Sequence, residues 1–383
     1  MKKAVVVGGA NGIGLAIAIN LIKKGKYVLI VDKNEPDKEA LSAYNNYQYI
    51  STDLRKYDYT LFEQIALDDD VKYLIITAGF GRVALFENLH SVEIENLFKV
   101  NTISVIETIK TFYNRINSKE DFYCGVMGSI AGLMSSPLFS CYAASKAALC
   151  RFIESVNIEL EKNEVKNRIL NVSPASIQGT KFNGGENNLT ILESLSDTII
   201  DKMNNREVLF IPQYEEKFKE ILDNYIADPH AYGIHSYEYK MNGGRVSTKT
   251  PIIIGYLSGT FDLFHIGHLN LLKRAKENCD YLIVGVHANG SHKKKDTFIP
   301  FEERKAIVES CKYVDKVVDS TYEDSDAVFA YGASRLFVGS DYKGTERFNR
   351  YEEIFKDKDI EIVYFPYTQG TSSTQLRDAI EAK

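Results

Sequence analysis

Tyr142 and Lys146 are a pair of side chains whose types and spacing suggest proton-transfer chemistry. They lie four residues apart in a run with helical periodicity, which places both on one face of a helix. A phenol with a pKa of about 10 is a poor acid or base at neutral pH, and an ammonium group beside it favours the phenolate. Ser129, directly after a predicted strand, is able to hydrogen-bond a substrate carbonyl.

Each of these residues also has an ordinary interpretation. Tyr-x-x-x-Lys occurs by chance in many helices, and Ser129 could be a turn residue. Asn101, near the start of a predicted helix, could be an N-cap. The joint order and spacing of the four residues makes chance an unlikely explanation.

A glycine-rich segment follows the first predicted strand and opens a helix. Glycines in such a turn let the backbone approach a pyrophosphate, and the helix N-terminus offers free N–H groups. A strand before the segment and a helix after it satisfy the context that this motif requires. The segment predicts a dinucleotide site at Gly8, Asn11, Gly12, Ile13 and Gly14.

Further predicted cofactor contacts follow later strands. Asp32 could accept both ribose hydroxyls of NAD and would repel a 2′-phosphate, although Lys33 weakens that argument. The alternative is a solvated acid at a strand end. The remaining predicted contacts, at the adenine and the nicotinamide ribose, are Asp53, Leu54, Ala78 and Gly79.

A second set of chemical residues lies in the run from Gly259 to His268. Here a strand-to-helix turn carries His265 and His268, which are able to point at one phosphate and to donate hydrogen bonds to its developing charge. A zinc site is the alternative, but no third Cys or His ligand lies nearby and Asp262 is the only close carboxylate. We therefore predict phosphate binding and no metal ligands.

Other residues are assigned to the same phosphate site. Lys294, in a run of three lysines, is predicted to clamp phosphate, and the alternative is a solvated charge run. Arg304 opens a predicted helix. The complete set predicted to bind triphosphate or other phosphate groups is Gly259, Thr260, Phe261, His265, His268, Lys294, Arg304, Gly339, Asp341, Thr371, Ser372 and Ser373.

Strands and helices alternate in two separate stretches of the chain. This pattern predicts an α/β protein with two doubly wound parallel sheets: a Rossmann-type domain at residues 1–245 and a smaller domain with the His-x-Gly-His motif at 251–383. Residues 181–242 are polar and interrupt the alternation, with one clear strand at Val208–Pro212, and Met241–Pro251 has the composition of a linker. A final helix is predicted at Ser373–Ala382.

Composition excludes several classes of protein. The chain has 383 residues, which suggests two or three domains, and a net charge of −6 with little basic clustering, which argues against general nucleic-acid binding. Its apolar runs are strand-sized, so no membrane span is expected. Five cysteines without a CxxC pair indicate free thiols in the cytoplasm.

Residues 1–180 resemble the short-chain dehydrogenase/reductase family. The resemblance implies an NAD(P)-dependent reductase, and Asp32 favours NAD(H) over NADP(H). It implies that Tyr142 is the general acid in reduction and that Ser129 orients the carbonyl. Lys146 would lower the pKa of Tyr142 and hold the ribose, while Asn101 would hold a water in a proton relay. The matching positions are Gly8, Gly12, Gly14, Asp53, Thr77-Ala78-Gly79, Asn101, Ser129, Tyr142 and Lys146.

Residues 251–383 resemble the cytidylyltransferase family typified by glycerol-3-phosphate cytidylyltransferase. The strongest match is the string Gly259–His268. The resemblance implies that a phosphate oxygen attacks the α-phosphate of CTP with Mg²⁺ bound, and that His265 and His268 stabilise the transition state. One departure is Tyr367, which replaces an arginine that the family uses for phosphate.

Together the two resemblances predict consecutive reactions on a small phosphorylated substrate. A ketose or aldehyde phosphate would be reduced to an alditol phosphate and then converted to a CDP-alditol of the ribitol, glycerol or tetritol type, for a cell-surface polymer. One alternative gives the reductase an unrelated carbonyl, such as a nucleotide sugar or a phosphonate aldehyde. Another makes the first domain a module that binds NAD without turnover. A homodimer or homotetramer is expected.

Overall fold

The computed structural model describes residues 1–180, 182, 186–247, 251–288, 297–366 and 376. The chain divides into two compact units, Met1–Lys249 and Thr250–Lys383. Each unit is built on its own parallel sheet.

The first unit contains a seven-stranded parallel sheet. In chain order its strands are β1 (Lys3–Val7), β2 (Tyr27–Asp32), β3 (Tyr47–Ser51), β4 (Val71–Ile76), β5 (Tyr123–Met127), β6 (Ile169–Val172) and β7 (Leu209–Phe210). They lie side by side in the order β3-β2-β1-β4-β5-β6-β7. The chain starts at β1, builds outward to β3, and then continues from the other side of β1. This reversal opens a crevice between β1 and β4 at their carboxyl ends, where open α/β sheets bind ligands.

Helices cover both faces of this sheet. They are α1 (Gly12–Lys23), α2 (Lys38–Leu41), α3 (Tyr59–Ala66), α4 (Ser91–Phe98), α5 (Ser104–Thr111), α6 (Tyr113–Ile116), α7 (Ser140–Lys162), α8 (Leu189–Asn204), α9 (Lys219–Ala227) and α10 (Pro229–Asn242). Side chains alternate along β1, so Val5 and Val7 pack in the core with α5 and α7, while Ala4 and Val6 pack with α1 and α8. Burial on both faces explains why the strand is a continuous apolar run.

The predicted doubly wound fold is confirmed, but several elements of the first unit were not predicted, among them α2, α3 and β3. β3 carries polar residues between its tyrosines and is only partly buried at the sheet edge, so it lacks the apolar run that marks the inner strands. Residues 181–242 contain three helices in addition to the short β7. Of these, α10 has no fully buried residue, so its sequence lacks a clear apolar stripe, although Asp228 caps its first turn and Pro229 occupies it.

The boundary of the predicted linker is also corrected. Met241 and Asn242 belong to the last turn of α10, so the helix extends into the segment assigned to the linker. Residues 248–250 lie outside the described residues, as does the predicted final helix Ser373–Ala382 apart from Leu376.

The second unit contains a five-stranded parallel sheet. Its strands are β8 (Ile254–Gly259), β9 (Tyr281–Val286), β10 (Lys316–Asp319), β11 (Arg335–Gly339) and β12 (Glu361–Phe365), and its described helices are α11 (Ile266–Glu277), α12 (Phe301–Glu309), α13 (Asp324–Ala330) and α14 (Glu346–Phe355). The strand order is β10-β9-β8-β11-β12, so the reversal falls between β8 and β11. Leu257, Val284 and Phe337 form the centre of the core with Leu272 of α11 and Val308 of α12.

Two further features concern the whole described chain. None of the described helices is long and apolar enough to cross a bilayer. All five cysteines are described, and each is a free thiol.

Candidate functional sites

The glycine-rich loop between β1 and α1 lies against the chain that leaves β4. Gly8 has a φ of +85°, and a Cβ at this position would lie 2.3 Å from the backbone nitrogen of Ala78. A Cβ on Gly14 would lie 2.2 Å from the carbonyl oxygen of Gly8. Thr77 Oγ1 donates to the carbonyls of Val7 and Gly8. Because only glycine fits at Gly8 and Gly14, the loop packs tightly and leaves the start of α1 suited to a pyrophosphate.

Two carboxylates lie at the same edge of the sheet, on neighbouring strands. Asp32 ends β2 and accepts hydrogen bonds from the backbone nitrogens of Ala10 (3.1 Å) and Asn34 (3.0 Å). Asp53 follows β3 and accepts from the guanidinium of Arg55 through both of its oxygens. Burial raises the pKa of Asp53, but the hydrogen bonds and charge of Arg55 outweigh it and hold that pKa below the usual value. Asp32 therefore lies next to the glycine loop, as a ribose-binding acid would.

Asn101 joins the chain after β4 to helix α7. It lies in a π-helical stretch, Lys99–Ile103, between α4 and α5, and is fully buried. Its Nδ2 donates to the carbonyl of Phe80 (2.8 Å) and to Ser145 Oγ (3.2 Å), and its Oδ1 accepts from Phe80 N (3.0 Å). A Cβ on Gly79 would lie 3.3 Å from both Asn101 Oδ1 and Lys146 Nζ. Asn101 and Lys146 thus both approach Gly79 closely.

Tyr142, Lys146 and Ser129 converge beside this loop. Lys146 Nζ donates to the carbonyl of Met127 at the end of β5 (2.7 Å) and lies 6.0 Å from the centre of the Tyr142 ring. Ser129 lies near enough to the Tyr142 hydroxyl to oppose the rise of its pKa, and Ser129 Oγ accepts from Ala131 N (3.2 Å). The structure therefore brings a phenol, an ammonium group and a hydroxyl together at the carboxyl ends of β4 and β5.

The Tyr142 ring is held by close packing. Phe139 stacks on it with ring centres 4.1 Å apart, and Phe182 lies 5.5 Å away. On the loop after β4, a Cβ on Gly81 would lie 2.5 Å from Tyr142 Cδ2. This packing restricts the ring to one position beside Ser129.

Burial sets the pKa values of this pair. Burial raises the pKa of Tyr142 to about 12, with Ser129 opposing it, and lowers the pKa of Lys146 to about 8. The sequence predicted the opposite direction for Tyr142 because it placed an ammonium group beside the phenol. In the folded protein the loss of hydration around both groups is the larger effect, so the phenol is protonated at neutral pH.

His265 and His268 form the N-terminal cap of α11. His265 Nδ1 accepts from Gly267 N (3.0 Å), His268 Nδ1 accepts from His265 N (3.4 Å), and the rings stack with centres 3.9 Å apart. An imidazole that accepts at Nδ1 carries its proton on Nε2 when neutral. Burial lowers the pKa of His265, which favours that neutral form. Both rings are thereby set as Nε2–H donors.

The loop before these histidines is held in an unusual conformation. Phe261 (φ 54°) and Leu263 (φ 49°) adopt left-handed backbone angles that side chains rarely take. Between them Asp262, only 4% exposed, accepts from the backbone nitrogens of Phe298 and Ile299. Strained loops of this kind concentrate at functional sites.

The loop lies at the point where the order of the second sheet reverses. Gly259 ends β8 and Gly339 ends the neighbouring β11, so both glycines face the same edge. Asp341 folds back toward β11, and its Oδ1 lies 2.3 Å from where a Cβ on Gly339 would be. The predicted residues Gly259, Thr260, Gly339 and Asp341 therefore lie at the carboxyl ends of β8 and β11, whereas the side chain of Phe261 is buried in the core.

Comparison with known proteins identifies both units. A short chain dehydrogenase family model matches residues 2–188, and a Cytidylyltransferase-like model matches residues 256–379. Glycerol-3-phosphate cytidylyltransferase of Bacillus subtilis (strain 168) is 35% identical over 126 residues, which are 32% of this chain and 92% of that protein. The chain belongs to the short-chain dehydrogenase family in its first unit and to the cytidylyltransferase-like family in its second. It is a bifunctional enzyme, an oxidoreductase joined to a nucleotidyltransferase.

Two further relatives concern the dehydrogenase unit. Carbonyl reductase family member 4 of Xenopus laevis is 28% identical over 181 residues, 46% of this chain and 76% of that protein. A solved short-chain dehydrogenase from Streptomyces avermitilis is 19% identical with a TM-score of 0.50, and the match covers 64% of this chain and all of that one. At that identity the likeness shows a shared fold alone.

In the cytidylyltransferase unit, Arg304 is enclosed by other parts of the chain. It lies in α12, and its side chain is fully buried. The guanidinium donates to the backbone carbonyls of Ile299, Thr260, His287 and Ala288. Arg304 thereby ties the loop after β8 to the loop after β9, with backbone carbonyls taking most of its donors, and its assignment to phosphate stays a prediction.

Several predicted residues of this unit cannot be placed. Lys294, Thr371, Ser372, Ser373 and Tyr367 lie outside the described residues. In the dehydrogenase unit, by contrast, all predicted residues are described. Asn11 caps α1, Ile13 lies in its first turn, and Leu54 begins a short 3-10 turn after Asp53.

The sequence analysis missed two polar side chains at the dinucleotide loop and the catalytic helix. Asn187 Oδ1 accepts from Gly12 N (3.2 Å), and its Nδ2 donates to Asn11 Oδ1 (3.1 Å), so it lies directly on the glycine loop. Ser145 accepts from Asn101 and donates to the Tyr142 carbonyl. Ser145 could have been noted from its place next to Lys146, whereas nothing in the local sequence marks Asn187.

Proposed function

We propose that this enzyme makes a CDP-alditol in two steps. The dehydrogenase domain, which we place at residues 1–245, reduces a ketose or aldehyde phosphate to an alditol phosphate with NAD(P)H. The cytidylyltransferase domain, at residues 251–383, joins that alditol phosphate to CTP and releases pyrophosphate. The observation that carries the proposal is the presence of both site geometries in one chain, with a relative of the second unit named for glycerol 3-phosphate, an alditol phosphate.

Reduction requires a hydride at the carbonyl carbon and a proton at its oxygen. The glycine cradle and Asp32 fit a dinucleotide, and NAD(P)H bound there would supply the hydride. Tyr142 would donate the proton, because its raised pKa keeps it protonated at neutral pH. Ser129 would orient the carbonyl oxygen, and Lys146 would favour the tyrosinate that remains. Asn101, fixed beside Gly79, would position a water that returns the proton.

Nucleotidyl transfer requires stabilisation of charge on the α-phosphate of CTP. A phosphate oxygen of the alditol phosphate would attack this phosphorus, and pyrophosphate would leave. The Nε2–H groups of His265 and His268 would donate to the oxygens that gain charge. Mg²⁺ bound with CTP would offset part of the triphosphate charge. Lys294, Thr371, Ser372 and Ser373 remain proposed contacts of CTP and phosphate on sequence grounds.

The proposal includes a cofactor preference and a biological setting. The carboxylate of Asp32 beside Ala10 favours NAD(H), since it would repel the 2′-phosphate of NADP(H). We place the protein in the cytoplasm as a homodimer or homotetramer that supplies a cell-surface polysaccharide. It needs only small-molecule partners for these reactions, without nucleic acid or membrane.

The direct test is product formation by the full-length protein. It is incubated with NADH or NADPH, CTP, Mg²⁺ and a panel of three- to five-carbon ketose phosphates, and products are identified by mass spectrometry. A CDP-alditol is expected from at least one of them. If none forms while an unphosphorylated or nucleotide-linked carbonyl is reduced, the reductase serves an unrelated substrate and the coupled reaction is wrong.

Two variants separate the reactions. Tyr142→Phe removes the proton donor and is expected to slow NAD(P)H oxidation by about 100-fold or more, leaving cytidylyl transfer to an added alditol phosphate intact. His268→Ala should slow transfer by a similar factor and leave reduction intact. Tyr59→Phe and His230→Ala, at exposed positions, are the matched controls. Loss of both activities in either test variant would contradict two separate sites.

A further inference from the structure

Lys240 is a half-buried lysine near the end of α10 whose ammonium group contacts the segment between Ser129 and Tyr142. Its Nζ donates to Ser136 Oγ (2.8 Å), to the carbonyl of Pro137 (2.8 Å) and to Ser236 Oγ (3.1 Å). The sequence analysis did not single out this residue, and the mechanism above does not use it. These hydrogen bonds bring a cation from α10 to the segment that leads into α7, the helix that carries Tyr142.

A second cation lies close to Lys240, and within the described residues neither charge is balanced by a carboxylate. Arg245 is exposed, lies 5.2 Å from the centre of the Tyr239 ring, and is close enough to depress the pKa of Lys240. Burial and this neighbouring charge together lower the pKa of Lys240 to about 8. Across the described ranges no carboxylate pairs with Lys240 or Arg245. Two like charges held close together without an acid are stabilised by an anion.

The hydroxyl groups around Lys240 complete a donor set. Ser136 and Ser236 each accept a hydrogen bond from the ammonium group, so each hydroxyl keeps its own O–H to donate. The three N–H groups of Lys240 are all engaged, so Lys240 itself contributes its positive charge. Ser236 also lies beside the Tyr232 hydroxyl. Ser136, Ser236 and Lys240 are all partly exposed, so a ligand is able to reach them. Hydroxyls oriented by an ammonium group, together with a guanidinium, suit a phosphate.

This cluster is tied to the catalytic residues by packing. Phe139, two residues after Pro137, stacks on the Tyr142 ring. On the other side, Ile130 and Met134 pack with Phe218 and with Tyr232 of α10. The segment that accepts from Lys240 therefore runs between Ser129 and Tyr142, the two residues that would hold the carbonyl.

We propose that Lys240 and Arg245, with the hydroxyls of Ser136 and Ser236, bind the phosphate group of the carbonyl substrate in the dehydrogenase unit. This rests on the proposed function, in which that substrate is phosphorylated. It adds the site that distinguishes a ketose phosphate from the free ketose. The competing role for Lys240 is purely structural, holding the segment around Pro137.

The test compares phosphorylated and free ketoses in the full-length enzyme. Steady-state NADH oxidation is measured with dihydroxyacetone phosphate and ribulose 5-phosphate, and with dihydroxyacetone and ribulose. Lys240→Met and Arg245→Gln are each expected to raise KM for the phosphorylated substrates by about tenfold or more, since each removes a positive charge that attracts the phosphate. Their kcat/KM for the free ketoses should stay within about twofold of wild type, and Lys240→Arg should retain most of the binding. Inorganic phosphate should compete with the ketose phosphate in wild type and much less in Lys240→Met.

The controls separate the possible failures. Lys219→Met removes an exposed lysine of α9 that pairs with Glu215, and it should change neither KM. If Lys240→Met and Arg245→Gln impair free and phosphorylated ketoses by the same factor, the phosphate subsite is overturned and the structural role stands. Arg245 is exposed, so its variant decides the question even if Lys240→Met does not fold. If wild type shows no preference for phosphorylated carbonyls, the proposed function itself is wrong.

Discussion

Tyr142 and Lys146 illustrate at the residue scale how burial changes the meaning of a motif. Their spacing places them on one helix face, but Lys146 is 2% exposed and its ammonium donates to a strand carbonyl. Loss of hydration disfavours the charged form of both side chains. The pKa of Tyr142 therefore rises further above neutral pH, and the pKa of Lys146 falls toward neutral pH. Tyr142 is therefore a protonated phenol at neutral pH, as the proposed reduction requires of its proton donor.

The pH dependence of reduction follows from Lys146. Its pKa is lowered to about 8, so the ammonium is present below that pH and lost above it. Without the charge the forming tyrosinate is less stable, and kcat for reduction is expected to fall as pH rises through about 8. The measurement is kcat at saturating ketose phosphate between pH 6 and 10. Because Lys240 has a similar pKa, Lys240→Met is the control and should keep the fall. A flat profile to pH 10 would contradict the assignment.

A second prediction at this scale concerns Gly14. A Cβ there would overlap the Gly8 carbonyl, so Gly14→Ala should shift the glycine loop, destabilise the dehydrogenase unit by about 1–3 kcal/mol and weaken NADH binding. Urea unfolding and fluorescence titration with NADH measure the two effects. Gly233→Ala is the matched control, because nothing lies within 4 Å of a Cβ at that position in α10. That substitution should be neutral or stabilise by about 0.5–1 kcal/mol.

At the scale of elements, buried polar side chains hold the loops that carry the histidines. Asp262 binds two backbone nitrogens before α12, and Arg304 binds four carbonyls, including that of Thr260. Both side chains connect the loop after β8 to distant parts of the unit. The strained backbone angles at Phe261 and Leu263 persist because these hydrogen bonds, made to other segments of the unit, hold the loop in place.

Arg304→Met tests this structural role. Removing the guanidinium leaves buried carbonyls without donors, so the cytidylyltransferase unit should lose about 3 kcal/mol or more of stability. Cytidylyl transfer remaining after incubation in a series of urea concentrations reports on this unit. Lys305→Met, which removes the neighbouring salt bridge to Asp319, should have little effect. Unchanged stability with a raised KM for CTP would instead support Arg304 as a phosphate ligand.

At the scale of the whole molecule, the chain repeats one architectural solution. Each unit places its chemical residues at the carboxyl ends of its parallel strands, close to where the strand order reverses. In the first unit they follow β1, β4 and β5, and in the second they follow β8 and β11. The loops there are free to carry different residues on similar sheets. Two separate compact units therefore suffice for two unrelated reactions.

This separation predicts complementation between variants. Tyr142→Phe and His268→Ala each lack one proposed activity and retain the other. An equimolar mixture should convert ketose phosphate to CDP-alditol at about half the rate of the same total amount of wild type, because each intact site is present at half concentration. Product is followed by mass spectrometry, and each variant alone is the control. If the mixture makes no product while each partial reaction proceeds, the intermediate does not pass through solution.

Prediction from sequence succeeded where a signal is local. Inner strands such as β1 are buried on both faces and read as apolar runs, and the glycine loop and the His265–His268 turn depend on residues adjacent in the chain. Prediction failed at β3, which is half-exposed at the sheet edge, and at α10, which has no fully buried side chain. Both elements are stabilised by contacts with other parts of the fold, which the pattern of apolar residues along the element itself does not show.

The sequence by itself determined the fold class, the two families and the residues able to do chemistry, because spacing along a helix or a turn controls which side chains share a face. Only the tertiary structure determined the protonation and the hydrogen-bond partners of those side chains. It buried Arg304 against carbonyls, moved the pKa values of Tyr142 and Lys146, and brought Lys240 to Pro137. Hydration and long-range hydrogen bonds depend on residues far apart in the chain, and only folding brings these together.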